Sequence, residues 1–98
     1  MAQFDAHEIK GHGLVVDCQS HFLRDLQSRV VAPLRDADEP SVSTSRLNPL
    51  VSIDGKNYRV ATQFMRAVDR RQLGPIVASL RDHEYAIKGA IDLLVSGF

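Results

Sequence analysis

The fold class of this chain is decided by one stretch, Leu50-Val51-Ser52-Ile53-Asp54-Gly55-Lys56-Asn57-Tyr58-Arg59-Val60-Ala61-Thr62. Apolar and polar side chains alternate on both sides of an Asp-Gly step, a pattern typical of two antiparallel strands joined by a tight turn. Asp and Gly readily adopt the positive φ angles that such a turn requires. The sequence therefore predicts a β-hairpin with Asp54 and Gly55 at its tip.

Three further strands are predicted before this hairpin. The first ten residues form a strand that enters a turn at Gly11-His12-Gly13, and Leu14 to Gln19 form the second strand. The third strand is Arg29 to Leu34, where Pro33 removes one backbone donor and therefore indicates a sheet edge or a strand end. Ser20 to Gln27 show no clear period, which predicts a loop or a short helix.

The remaining connections are short, with one exception. Arg35 to Arg46 are rich in Asp, Ser, Glu and Pro, so we expect a long exposed loop there. After the hairpin, Phe64 to Val68 predict a short strand or bend. A brief apolar run at Ile76 to Ala78 follows Gly74-Pro75.

A helix closes the sequence. Ser79 and Asp82 have the spacing of a capping box, and Glu84 and Lys88 form a favourable i,i+4 pair. Gly97 is placed to end the helix in a left-handed conformation. The helical spacing brings six apolar residues into one stripe, namely Ile87, Ala90, Ile91, Leu94, Val95 and Phe98. We therefore predict a single domain over residues 1–98, mostly antiparallel β with five or so strands and one C-terminal helix.

Composition narrows the possible functions. Twelve Lys and Arg balance twelve Asp and Glu over 98 residues, so no basic field exists to hold DNA or RNA, and we expect no direct DNA binding by this chain alone. The apolar runs, such as Val30 to Leu34, are far shorter than the ~20 residues of a membrane span. Acidic residues near the start do not resemble a secretory signal, and the lone Cys18 fits a reducing cytoplasm.

No motif indicates a metal, a cofactor or a catalytic centre. The candidate ligands have no known spacing, and surface histidines explain them better; they are His7, His12, His21, Asp5, Glu8 and Cys18. Cys18 is expected to be a small buried hydrophobe. The sequence holds no glycine-rich phosphate loop and no Gly-x-Ser-x-Gly elbow. We therefore expect no cofactor, no metal and no catalytic residues.

Two features leave alternatives open. The arginines Arg59, Arg66, Arg70 and Arg71 form either a solvated face or a contact for an acidic partner or a phosphate. Phe98 follows a helix-ending glycine, and its ring either folds back on the last helical turn or anchors another chain.

Four blocks of the sequence resemble the CcdB toxins of bacterial toxin–antitoxin modules, in the order and spacing of that family. They are Val16-Asp17-Cys18-Gln19-Ser20, Arg29-Val30-Val31-Ala32-Pro33-Leu34, Asn48-Pro49-Leu50-Val51-Ser52-Ile53 and Ala90-Ile91-Asp92-Leu93-Leu94-Val95-Ser96-Gly97-Phe98. The resemblance implies a partly open SH3-like barrel with an inserted small sheet, a C-terminal helix and a two-fold homodimer. It also implies binding to the A subunit of DNA gyrase while DNA is cleaved, so that the break is not resealed.

The resemblance also assigns residues. Gyrase contact falls on Ser96, Gly97 and Phe98, where the best-known members have tryptophan, glycine and isoleucine. Contact with the flexible tail of a cognate antitoxin falls on Phe22, Leu23, Asp92 and Val95. The resemblance further implies that the toxin–antitoxin pair represses its own operon, with the antitoxin contacting the DNA.

Three hypotheses follow. The first is a non-catalytic gyrase poison. The second is an endoribonuclease, because toxins on a related barrel cleave RNA, with Arg59 or His83 as candidates here. The third is a non-toxic relative that retains only antitoxin binding, which the serine at position 96 suggests.

Overall fold

The computed structural model describes residues 2–97. Seven antiparallel strands form one curled half-barrel sheet, and a single α-helix follows them. The elements are β1 (Asp5–Ile9), β2 (Gly13–Asp17), β3 (Ser28–Asp36), β4 (Leu50–Ile53), β5 (Lys56–Val60), β6 (Arg66–Asp69), β7 (Leu73–Ser79) and α1 (Glu84–Ser96). This confirms the predicted fold class, a mostly β, SH3-like barrel with a C-terminal helix.

β3 is the strand around which the sheet is organised. The strand order is β4-β5-β3-β2-β1-β7, and β6 also pairs with β3. The first half of β3 pairs with β6 and its last three residues pair with β5, while β2 lies along its other side. The end of β3 and the hairpin β4–β5 form one arm of this seven-stranded sheet.

The predicted hairpin is present with the expected turn. Asp54 has φ 51° and Gly55 has φ 82°, so both central residues are in the left-handed region. Ile53 pairs with Lys56 across the turn. Val51 and Ile53 point into the core, as the alternation predicts.

Pro33 does not lie at an edge or at a strand end, which corrects the prediction. It lies inside the nine-residue β3, between the residues that pair with β6 and those that pair with β5. Its carbonyl accepts the Ala61 N–H at 2.8 Å on that side, so the missing proline donor falls where the neighbouring strand changes. Proline is ordinarily excluded from central strands because it has no N–H to donate to a neighbouring strand. It is tolerated here because strand pairing on that side of β3 is interrupted at Pro33.

The helix begins later than predicted and without the predicted cap. α1 starts at Glu84, and no side chain caps it; Ser79 and Asp82 do not form a capping box. A capping box exists instead at Asp69 and Gln72, before a short 3-10 turn. The predicted Glu84–Lys88 pair is present at 2.7 Å.

The apolar stripe of α1 is buried only at its start. Ile87 and Ala90 are completely buried in the main core, and Ile91 packs against that core. Leu94 is 42% exposed and Val95 is 73% exposed. The last turns of the helix therefore contribute little to the core. No helix in residues 2–97 has the length and apolar character needed to cross a membrane.

The edge strand β7 has an irregular path. Its register with β1 shifts twice, and Gly74 and Pro75 lie in the irregular part. A Cβ atom at Gly74 would lie 2.8 Å from the Glu8 carbonyl oxygen, so only glycine permits this close approach. His7, which is buried, donates from Nδ1 to the Gly74 carbonyl at 3.0 Å and ties β7 to β1.

Candidate interaction site

The residues predicted to contact other proteins lie at two places. Phe22 and Leu23 are in the segment between β2 and β3, and they are 91% and 50% exposed. Asp92, Val95, Ser96 and Gly97 are in or directly after the last turns of α1, and all four are exposed. Phe98 lies outside the described residues.

Residues 20–27 form a short loop, here called the display loop, that holds its apolar side chains in solvent. A 3-10 turn at His21–Leu23 begins it, and the Ser20 hydroxyl accepts the Phe22 N–H at 3.2 Å. The Leu26 N–H then donates to the Leu23 carbonyl at 3.1 Å. Leu26 is 48% exposed and adds a third apolar side chain, which the sequence analysis missed.

A buried ion pair lies beneath the display loop. The Arg29 guanidinium donates to one Asp17 carboxylate oxygen from Nε at 3.0 Å and from Nη2 at 2.6 Å. The two side chains are 1% and 0% exposed. Arg29 Nη1 also donates to the Arg24 carbonyl at 3.2 Å, and the other Asp17 oxygen accepts the Gln19 N–H at 3.0 Å. Because β2 pairs with β3, this ion pair joins the two ends of the segment that carries the loop.

Gln19 extends the polar network to the loop itself. Its side-chain amide donates to the Leu23 carbonyl at 2.7 Å, while its side-chain oxygen accepts the Val30 N–H at 3.0 Å. Gln19 is 5% exposed. One buried amide therefore links the 3-10 turn of the display loop to strand β3.

The end of α1 is the second exposed apolar region. Gly97 has φ 83°, as predicted, and its N–H donates to the Leu93 carbonyl at 3.0 Å. The last turn contains no basic residue, while Leu94 and Val95 face solvent. This end therefore offers apolar contact area next to the exposed carboxylate of Asp92.

The two regions are separated along the helix. His21 lines a groove of about 300 Å³ together with Glu84, the first residue of α1. At a rise of about 1.5 Å per residue, Val95 lies about 16 Å further along α1 than Glu84. A partner that contacts both regions must therefore extend over most of the helix.

The remaining candidate groups take structural roles. His7 is buried and bonded to a backbone carbonyl, so it is not the surface histidine that was expected. Burial, followed by the charge of Asp17, raises the pKa of the Cys18 thiol to about 12, so the thiol is protonated near neutral pH. Arg59 donates to the Asn48 carbonyl at 3.0 Å, and Arg71 pairs with Asp69 at 3.1 Å.

No cluster of three or more His, Cys, Asp or Glu side chains occurs within residues 2–97. His83 immediately precedes α1, and its side chain makes no capping bond there.

The half-barrel leaves two apolar regions exposed, one on the display loop and one at the end of α1. Solved structures share this fold. The Mycobacterium tuberculosis toxin MazF-mt6 has a TM-score of 0.72 and 19% identity, with 90% of this chain and 92% of that chain covered. An Mtb toxin has a TM-score of 0.73 and 19% identity, covering 88% and 94%. An endoribonuclease in complex with its cognate antitoxin, from a mycobacterial species, has a TM-score of 0.75 and 12% identity, covering 94% and 91%.

At these identities the likeness establishes the fold alone. The family is established by sequence. The model of the CcdB protein family matches residues 3–97, and this chain therefore belongs to the CcdB family. Its class is that of the toxins of toxin–antitoxin systems.

Proposed function

We propose that this protein is a gyrase poison that acts by binding and not by catalysis. Two copies would associate about a two-fold axis and present their paired helix ends to the A subunit of DNA gyrase while the DNA is cleaved. Ser96, Gly97 and Phe98 would make the central contact. The observation that carries the proposal is the family match over residues 3–97.

The exposed end of α1 supports this assignment. An amphipathic helix normally buries its whole apolar stripe, yet Leu94 and Val95 face solvent here. Aromatic and aliphatic anchors carry most of the binding energy in protein interfaces. A second chain that covers this end would complete the stripe, and Phe98 would supply an aromatic anchor in place of the tryptophan found elsewhere in the family.

We propose that a cognate antitoxin neutralises the toxin with a flexible C-terminal tail. The tail would contact Phe22 and Leu23 on the display loop and Asp92 and Val95 on α1. The distance between these two regions favours an extended segment, because a tail that orders on binding wraps a large surface. The toxin–antitoxin complex would repress its own operon through DNA contacts of the antitoxin, since this chain has a net charge of zero.

Purified gyrase tests the proposal directly. Supercoiled DNA is incubated with gyrase, ATP and the toxin, and the products are resolved after denaturing the protein. We expect linear DNA to accumulate only when toxin and gyrase are both present. Intact DNA at saturating toxin would refute gyrase poisoning.

Three variants locate the contact. Val95→Ser and Phe98→Ala should reduce DNA linearisation at least tenfold. Val95→Ser should leave the free energy of unfolding within about 0.5 kcal/mol, because a largely exposed side chain has few core contacts. Deletion of residues 96–98 should abolish gyrase binding. Loss of folding together with binding in all three variants would show that this end is structural.

An endoribonuclease is the second candidate, and the shared fold with an endoribonuclease favours testing it. Arg59 and His83 are the residues named for this role, but Arg59 is already bonded to the Asn48 carbonyl. RNA incubated with substoichiometric protein separates the two functions, because only an enzyme gives repeated cleavage. A third possibility, a non-toxic relative, predicts tight antitoxin binding without growth arrest.

A further inference from the structure

The display loop has no buried side chain. Residues 21–27 are all exposed, and Phe22, at 91%, is among the most exposed apolar side chains of the protein. Loops of this kind ordinarily move, because few apolar contacts hold them. Something other than a local core must therefore fix the position of Phe22 and Leu23.

Hydrogen bonds from buried side chains to loop carbonyls supply this restraint. The Gln19 side-chain amide donates to the Leu23 carbonyl at 2.7 Å, and Arg29 Nη1 donates to the Arg24 carbonyl at 3.2 Å. At the far end, the Gln27 carbonyl accepts the Arg70 N–H at 2.8 Å. The two restraints at the middle of the loop thus come from side chains that solvent does not reach.

The ion pair fixes the donors in turn. Asp17 binds the Arg29 guanidinium with one oxygen and the Gln19 N–H with the other. Gln19 is also held by the Val30 N–H, so its amide nitrogen has a defined direction toward the loop. A chain of bonded groups therefore runs from the β2–β3 pair to the backbone of the display loop.

We infer that Gln19 is a positioning residue that holds the display loop in its binding shape before a partner arrives. The inference rests on the proposed function, in which this loop receives the antitoxin tail. A loop that samples many shapes binds with an affinity reduced by the fraction in the competent shape. A loop restrained in the binding shape presents Phe22 and Leu23 without this reduction in affinity.

Two variants of Gln19 separate positioning from folding. Gln19→Met has a similar length but loses both side-chain bonds. Gln19→Glu, in its ionised form, retains an oxygen for the Val30 N–H but has no proton to donate to the Leu23 carbonyl, and it also adds a buried negative charge beside Asp17. If one variant fails to fold, the other carries the test.

The first measurement is loop order in the free protein. Backbone order parameters of residues 21–26 are obtained from NMR relaxation, where rigid backbone gives about 0.85 and flexible backbone falls below about 0.6. We expect rigid values in the unsubstituted protein and flexible values in both Gln19 variants, with β2 and β3 unchanged. Rigid values in the variants would overturn the inference, whatever their binding.

The second measurement is affinity for a synthetic peptide of the C-terminal tail of the antitoxin encoded in the same operon. Both variants should bind about tenfold more weakly. Phe22→Ala should also weaken binding, but with a rigid loop. Ile53→Val, in the core, should lower thermal stability without changing either the loop or the affinity.

The outcomes distinguish the two levels of the argument. A flexible loop with unchanged affinity would overturn the positioning role while leaving antitoxin binding intact. If the unsubstituted protein does not bind the tail, the proposed antitoxin site fails. The order parameters then still decide whether Gln19 holds the loop.

Discussion

Removing one partner of the buried ion pair should be among the most destabilising single changes in this protein. Asp17→Leu leaves the Arg29 guanidinium, which is 1% exposed, without the carboxylate oxygen that accepts its two bonds. Breaking such a buried pair costs about 3–5 kcal/mol. A domain of this size has a total stability of about 5–15 kcal/mol. We therefore expect a loss of about a fifth or more of the free energy of unfolding.

The assay is guanidinium chloride unfolding followed by circular dichroism at a fixed protein concentration, because self-association changes apparent stability. In a thermal melt, each kcal/mol of lost stability lowers the melting temperature by about 4–8 °C for a domain of up to ~100 residues. The melting temperature of Asp17→Leu should therefore fall by about 12 °C or more. The double variant Asp17→Leu/Arg29→Met removes both charges and should recover most of the loss, since an apolar pair of similar volume is often neutral or stabilising.

Two results would refute this reasoning. A single Asp17→Leu substitution that costs less than about 1 kcal/mol would show that the guanidinium finds other partners. A double variant as unstable as the sum of the two single variants would show that the charges do not act as a pair.

The remaining predictions concern two backbone positions, Gly97 and Gly74, and the thiol of Cys18. Gly97→Ala should destabilise the protein by about 1 kcal/mol in urea unfolding, because an alanine is strained at a φ of 83°; an unchanged midpoint would contradict this. Gly74→Ala should cost about 2 kcal/mol or more, because its Cβ meets the Glu8 carbonyl, whereas the control Gly89→Ala, with open space in α1, should be neutral or stabilising. Iodoacetamide at pH 8 should alkylate Cys18 roughly a thousandfold more slowly in the folded than in the denatured protein, because a pKa raised from 9.0 to about 12 leaves little thiolate. Stability should also fall as the pH rises from about 9 toward 12, because the folded state retains the thiol proton there; equal alkylation rates would refute both expectations.

The sequence correctly predicted the elements whose conformation is decided by a few neighbouring residues. The Asp54-Gly55 turn and the glycine at the end of α1 were both correctly placed, because one or two residues decide their backbone angles. The predicted count of five or so strands was too low, because residues 2–97 contain seven, including β6 and the whole of β7. β6 is only four residues long and β7 contains Gly74-Pro75, so neither gives a clear alternation.

Features that depend on distant residues could not be read from the sequence. Asp17 and Arg29 each stand beside apolar strand residues, but only the pairing of β2 with β3 brings them together. Pro33 was misplaced for the same reason, since its tolerance depends on where two other strands meet. The helical stripe predicted the buried face of α1 correctly as far as Ala90. Periodicity alone does not tell where along α1 the rest of the chain stops covering the apolar stripe.

The site residues came from family resemblance, and the structure adds their surroundings. Phe22 and Leu23 are exposed on a loop whose supporting network contains Gln19, a residue within a quoted block but without an assigned role. Leu26 was missed because Ser20 to Gln27 show no period. A polar Asp directly after two valines in a strand was the one signal that could have indicated a buried partner.

The irregular edge strand β7 has a consequence for assembly. A regular outer strand offers its free amides to any extended chain and can start open-ended polymerisation. Pro75 has no amide hydrogen to offer, and the shifted register around Gly74 interrupts the regular spacing that a further strand would need. Addition of a further strand, and therefore polymerisation by sheet extension, is disfavoured at the β7 edge.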